Sequence, residues 1–191
     1  MKNKISGREK LNRWNWLINI LSSIVAVFPH GLCNIMFNLI SGMPTILGTL
    51  FRYVLIRRLA AKSGKNIYIG RWCTFKNIGK LDLGNNISFH EYCYIDAIGG
   101  IKIGDNVSIA HSVSILSFDH SFVKSDIPFK YQALSTEKIT VGDNVWVGCG
   151  VRILSGTTTD NNVVIAANAV IKGMVSSGLY AGVPATKKRD L

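Results

Sequence analysis

Residues 139–171 read ITVGDNVWVGCGVRILSGTTTDNNVVIAANAVI, and this stretch decides the fold. Val141, Val147, Ile153, Thr159, Ile165 and Ile171 recur at intervals of six. A second series, Val145, Val151 and Val163, follows the start of its unit by four places. Two inward positions in every six residues mean short flat strands joined by tight corners. Three such units close one triangular coil, and Val141 to Thr159 is eighteen residues, one coil. Each coil buries its face only against the next, so the pattern specifies a hexapeptide β-solenoid.

The same grammar extends toward the N-terminus. Leu83, Phe89 and Ile95 form one set and Ile103, Ile109 and Ile115 another, with Ile87, Val107 and Val113 as companions. The echoes LGNN, IGDN, VGDN and TDNN close on Asn86, Asn106, Asn144 and Asn162. Asparagine is the non-glycine residue that best tolerates a left-handed backbone at a corner. Leu83 to Ile103 is twenty residues, one coil plus two around AIGG. Ile103 to Val141 is thirty-eight, one coil plus a twenty-residue insertion, 121–140, which follows SFDH. A long insertion in so regular a stack is more often functional than accidental.

Residues 1–65 obey other rules. No Asp, Glu, Lys or Arg occurs among the 38 residues from Trp14 to Phe51, and Pro29 and Pro44 interrupt this apolar run as helix breakers. The uninterrupted pieces, about 15 residues each, fall short of the ~20 a straight membrane span needs. Lys2, Lys4, Arg8, Lys10 and Arg13 precede the run; Arg52, Arg57, Arg58, Lys62 and Lys65 follow it. Basic flanks on both sides place both ends at the cytoplasmic face and fit a re-entrant hairpin or helices lying in an anionic membrane interface better than one crossing, with Trp14 and Trp16 in the interfacial belt. A buried helical cap on the solenoid is the other reading.

The net charge of +11 calls for an anionic partner. Nucleic acid is not expected, because ten of the 22 basic residues flank the apolar run and no aromatic-basic module is present. Cys33, Cys73, Cys93 and Cys149 are too widely spaced for a disulfide framework or a zinc site, and no metal is expected.

Residues 66–187 resemble the left-handed parallel β-helix acyltransferases of the hexapeptide-repeat superfamily, in the sugar and polysaccharide O-acetyltransferase branch. The residues that carry the likeness are IGDNVSIAHSVSILSFDHSF, the opening stretch above, and AGVPATK. The resemblance implies a left-handed parallel β-helix over 66–182 with the inserted loop 121–140; together with the apolar region 1–65, read as α-helical from its own residues, and a short basic tail over 183–191, the chain is expected to be mainly β. The resemblance also implies a homotrimer with sites between subunits, acetyl-CoA as co-substrate and no permanently bound cofactor. TTTDNN departs from the usual opening of its coil, and FHEYCYID lacks an asparagine that maltose-type relatives place near the acceptor.

Acetyl transfer from a thioester to a hydroxyl needs a base, and histidine's ordinary pKa near neutrality suits it. Of His30, His90, His111 and His120, only His120 stands where the insertion begins, and it matches the family's catalytic histidine. Asp96 and Glu91, one coil earlier, are candidates to orient the base or bind the acceptor. The resemblance lays the donor along the coils C-terminal to the base, where Trp146 can flank the pantetheine arm or the acceptor pocket, the small residues Gly148, Gly150, Ala166 and Ala167 let a ligand approach the backbone, and Lys172 loosely matches a Thr-Lys pair of relatives; the basic cluster Lys187, Lys188 and Arg189 suits the donor's phosphates. The acceptor implied is a sugar hydroxyl of a surface polysaccharide precursor, with the protein at the inner face of the cytoplasmic membrane. The alternatives are a serine or xenobiotic acetyltransferase, or a carbonic-anhydrase-like metalloprotein of the γ class.

Overall fold

The computed structural model describes residues 15–191. The flanking residues Lys2, Lys4, Arg8, Lys10, Arg13 and Trp14 lie outside the described residues. Three helices come first: α1 (Asn15–Ala26), α2 (His30–Leu39) and α3 (Thr45–Leu59). Pro29 and Pro44 occupy the positions just ahead of α2 and α3, where a residue without an N–H loses no helical hydrogen bond. The prolines thus divide the apolar run into short helices, and no described helix is long and apolar enough to cross a membrane.

Three parallel sheets follow, one for each side of a triangular coil. The first contains Lys62–Ser63, Leu81–Leu83, Ile101–Ile103, Ile139–Val141, Thr158–Thr159 and Met174–Val175. The second contains Ile67–Ile69, Ile87–Phe89, Ser108–Ile109, Val145–Val147, Val163–Ile165 and Gly178–Gly182, closed by an antiparallel return, Ala185–Arg189. The third contains Thr74–Lys76, Tyr94–Asp96, Ser114–Leu116, Arg152–Ile153 and Val170–Ile171. The first strand, Lys62–Ser63, starts ahead of residue 66 and pairs with Asp82 and Leu83.

Ile103 pairs with both Leu83 and Val141, so the stack continues across the insertion without loss of register. Every aliphatic residue of the two sequence series is buried, and so is Thr159. Thr159 is tolerated there because its hydroxyl accepts the Gly142 amide at 2.9 Å. Asn86, Asn106, Asn144 and Asn162 all have φ between 54° and 59°, the left-handed conformation. Their side chains run as a ladder, Asn86 to Asn106 at 3.0 Å and Asn144 to Asn162 at 2.7 Å. At the corner between the second and third sheets the left-handed residues are Trp72, Tyr92, Ser112, Gly150 and Asn168.

The helices cover the first coil. Phe37 of α2 meets Phe75 edge-on at 5.7 Å, and Phe75 meets Phe89 at 5.1 Å, which makes one core of layer and stack. Arg52, read from the sequence as part of a basic flank, is instead only 2% exposed. Its guanidinium donates to the carbonyls of Ile69 at 2.9 Å, Met43 at 2.9 Å, Ile40 at 3.3 Å and Ser41 at 3.4 Å. It therefore satisfies carbonyls at the end of α2, where helical partners have run out, and ties them to the stack. The outer side of the layer leaves Trp16, Ile20, Ile24, Ile35, Leu39 and Ile46 exposed.

Candidate functional site

The insertion is a hairpin at its base, where the sequence suggested a loop from His120 onward. Phe118–His120 pairs antiparallel with Leu134–Thr136, His120 lies opposite Leu134, and the Ser121 amide donates to Ala133 at 3.1 Å. The chain leaves the coils after buried Ser117 and rejoins them at Glu137, beside buried Ser155 of the following coil. Ser117 Oγ donates to the Asp96 carbonyl at 2.8 Å and accepts the Gly99 amide at 2.9 Å. The Glu137 amide donates to the Ser117 carbonyl at 3.2 Å and to Ser155 Oγ at 3.1 Å. A Cβ on Gly99 would lie 2.3 Å from the Ser117 carbonyl oxygen, so the AIGG step exists to admit the hairpin base.

Beyond the hairpin, the side chain of Gln132 organises the loop. It accepts the Val123 amide at 3.1 Å and donates to the Val123 and Ile127 carbonyls, each at 2.9 Å. Sequence reading missed Gln132, and no spacing singles it out. Phe122, Val123, Ile127, Phe129 and Tyr131 are exposed around it.

His120 is exposed, with its ring edge-on to Phe118 at 6.0 Å. Alternation along the strand turns Asp119 the other way. Asp119 Oδ2 accepts Lys172 Nζ at 2.8 Å. That hydrogen bond holds the Lys172 pKa above the ordinary lysine value.

Each coil presents two of its corners to this question. His120, Asp96 and Lys172 all lie where the chain passes from the third sheet to the first. Asp96 is nonetheless buried, and one of its oxygens accepts Asn77 Nδ2 at 2.7 Å and the Ile98 amide at 3.2 Å. Glu91 lies on the other edge, between the second and third sheets, with His90 and His111. It accepts the Tyr68 hydroxyl at 3.4 Å, and burial followed by that carboxylate raises the Tyr68 pKa. Asp96 and Glu91 are therefore not brought together.

The donor candidates gather on the second sheet and this same edge. Trp146 is 58% exposed on the sheet's outer face, beside Ser108 and Val164. Gly148 faces the following coil, because a Cβ there would lie 2.6 Å from the Ala167 amide. Gly150 takes the left-handed corner at φ 69°. Ala166 and Ala167 occupy the equivalent turn one coil later, after Ile165. Lys187, Lys188 and Arg189 lie on the antiparallel return, with Lys187 paired to Asp190 at 2.6 Å. Within one chain the third sheet separates this group from His120. Among the described residues no cluster of His, Cys, Asp or Glu is arranged to hold a metal.

No protein-family model matches the chain. It is 38% identical over 85 residues to WbbJ of Escherichia coli (strain K12), named as a lipopolysaccharide biosynthesis O-acetyl transferase. The match covers 40% of this chain and 43% of WbbJ, so it spans less than half of that relative. Its fold is similar to that of a galactoside acetyltransferase in complex with coenzyme A, at TM-score 0.73 and 25% identity, covering 84% of this chain and 82% of that one. A maltose O-acetyltransferase from Clostridium difficile 630 shares the fold at TM-score 0.74 and 24% identity, covering 87% and 88%.

Proposed function

From its kinship with the hexapeptide-repeat sugar O-acetyltransferases, we propose that the chain transfers acetyl from acetyl-CoA to a sugar hydroxyl, in surface polysaccharide biosynthesis. The observation that carries this reading is His120: an exposed imidazole on the outermost paired rung of a hairpin, where the long insertion interrupts a β-helix whose fold is shared with acetyltransferases. In the reaction, the His120 imidazole takes the proton of the acceptor hydroxyl as its oxygen attacks the thioester carbon. The tetrahedral adduct then collapses, the carbon–sulfur bond breaks, and the imidazolium gives the proton to the departing coenzyme A sulfur, which leaves as the thiol. No covalent acyl-enzyme is needed, since the thioester carbon is already electrophilic, and Cys149 takes no part.

The donor groove is assigned to Trp146, Gly148, Gly150, Ala166, Ala167 and the basic strand Lys187–Arg189. These residues and His120 lie on different edges of one chain, which favours a homotrimer in which one subunit's donor edge meets its neighbour's hairpin. Glu91, on the donor edge, is then better placed than buried Asp96 to meet the acceptor.

Labelled acetyl-CoA, offered with maltose, a galactoside and nucleotide sugars, tests the assignment, with product linkage read by NMR. His120→Ala is expected to lower turnover by roughly 10²–10⁴ while folding normally. Retention of more than about a tenth of wild-type turnover would remove His120 as the base.

A second reading concerns place. The exposed apolar side of α1 and α2, with a basic N-terminal flank in the sequence, favours a protein lying on the anionic inner face of the cytoplasmic membrane. Flotation with phosphatidylglycerol-containing vesicles is the test. Replacing Ile20 and Ile24 by Asp should abolish flotation; unchanged flotation would exclude this face as the anchor.

A further inference from the structure

The insertion is fastened to the stack at two heights. At its base, Ser117, Ser155 and Gly99 fix where the chain leaves and re-enters the coils. Farther out, the only ion pair between the hairpin and the coils among the described residues is Asp119 to Lys172, at 2.8 Å. Lys172 follows Val170–Ile171, the last strand of the third sheet, whereas the hairpin leaves after Ser114–Leu116, two strands earlier in that sheet. The pair therefore makes the hairpin lean along the stack, over the intervening coil, rather than project from the coil that bears it. Asp119 is the immediate neighbour of His120, on the opposite face of the same strand.

We infer that the Asp119–Lys172 pair is a clamp that positions His120 in the reacting groove, and that Lys172 serves the hairpin rather than the donor's phosphates. This inference rests on the reading of His120 as the base. A half-exposed ion pair contributes little to global stability. Its leverage is geometric, since the residue it holds adjoins the imidazole, and a misplacement of about 1 Å in a reacting group can cost on the order of 10²-fold in rate. Glu137, whose carboxylate rests against Gly156, adds a second negative charge near Lys172. An ammonium already paired with the Asp119 carboxylate is poorly suited to bind a phosphate as well.

The test uses the full chain and four variants: Lys172→Met, Asp119→Asn, the reversed pair Asp119→Lys with Lys172→Asp, and His120→Ala. Two quantities are read: kcat and KM for acetyl-CoA on the best acceptor of the sugar panel, and hydrogen exchange of the Ser121 amide. Each single clamp variant should lower kcat by about tenfold, leave KM for acetyl-CoA within about twofold, and speed exchange at Ser121. The reversed pair should recover most of the loss in both readouts. A rise in KM for acetyl-CoA in Lys172→Met alone, with kcat held, would make Lys172 a donor ligand and overturn the inference. So would failure of the reversed pair to recover either quantity. If His120→Ala keeps wild-type turnover, the base assignment falls, which is a separate result from the exchange at Ser121. If His120→Ala is inactive while the clamp variants keep both kcat and slow exchange, the base stands and the clamp falls.

Discussion

The coils and the helical layer are built from the same kinds of residues and use them in opposite ways. In the coils every aliphatic residue of the six-residue series points inward and is buried by its own stack. In the layer, α1 and α2 carry isoleucines and leucines on both sides and only one side has a protein partner, whereas the second half of α3 is buried nearly all round. The single buried arginine among the described residues, Arg52, lies at their junction, where α2 and α3 meet the first coil. A solenoid is thus self-sufficient in apolar burial except at its ends, while the layer that covers one end keeps an apolar face to spare. A spare face of this size is a surface for something else.

That contrast can be broken at its junction. Arg52→Leu leaves carbonyls of Ile40, Met43 and Ile69 without their donor, and should destabilise the protein by about 3–5 kcal/mol, with loss of the layer before the coils. Thermal unfolding followed by far-UV circular dichroism at helix and sheet wavelengths would show two transitions where the wild type shows one. A single unchanged transition would mean that the layer does not depend on Arg52.

Ile165→Ala, in the middle of the stack, should cost about 2–5 kcal/mol by opening a cavity. Urea denaturation measures it, and a loss below about 1 kcal/mol would mean the coils relax into the space. Tyr92→Asn should act in the other direction. Tyr92 holds φ 62° at a corner while its ring is 63% exposed, and asparagine accepts that conformation with less strain. A gain of about 1 kcal/mol is expected in the same titration. Ile35→Ala, on the exposed side of α2, should change stability by less than about 0.5 kcal/mol, and a larger loss would show that the face is covered in solution.

Alkaline titration reaches the hairpin. The Lys172 pKa is raised by Asp119, so what the pair adds is fully present below the ordinary lysine value and disappears as pH rises through the raised one. Proteolysis of the hairpin, with exchange referenced to a coil amide, should accelerate only above the ordinary lysine range. Acceleration already near neutral pH would have another cause.

The coils were legible in the sequence because a period of six with aliphatic residues at two positions has few other meanings, and because Asn86, Asn106, Asn144 and Asn162 mark corners that only a few residue types fit. The hairpin was not, since its strands have three residues each and their partners are separated by a long loop. Arg52 was misleading for a physical reason: arginine beside an apolar run is ordinarily at the surface, and its carbonyl partners are scattered from Ile40 to Ile69. Asp96 resembled a site acid, but its partner Asn77 belongs to the previous coil and becomes a neighbour only through stacking. His120 stands out in the sequence because it interrupts a regularity, whereas Lys172 gained its partner from the lean of the hairpin, which no spacing encodes.

The antiparallel return Ala185–Arg189 has a consequence for self-association. A stack of parallel strands ends in a row of unpaired amides and carbonyls, a template onto which another chain can add. Here the last parallel strand of the second sheet is paired by a segment running the opposite way, whose outward register carries Lys187, Lys188 and Arg189. Reversed direction and clustered positive charge both discourage a further parallel strand from a second molecule. With the helices over the opposite end, this sheet offers no inviting template for fibre growth.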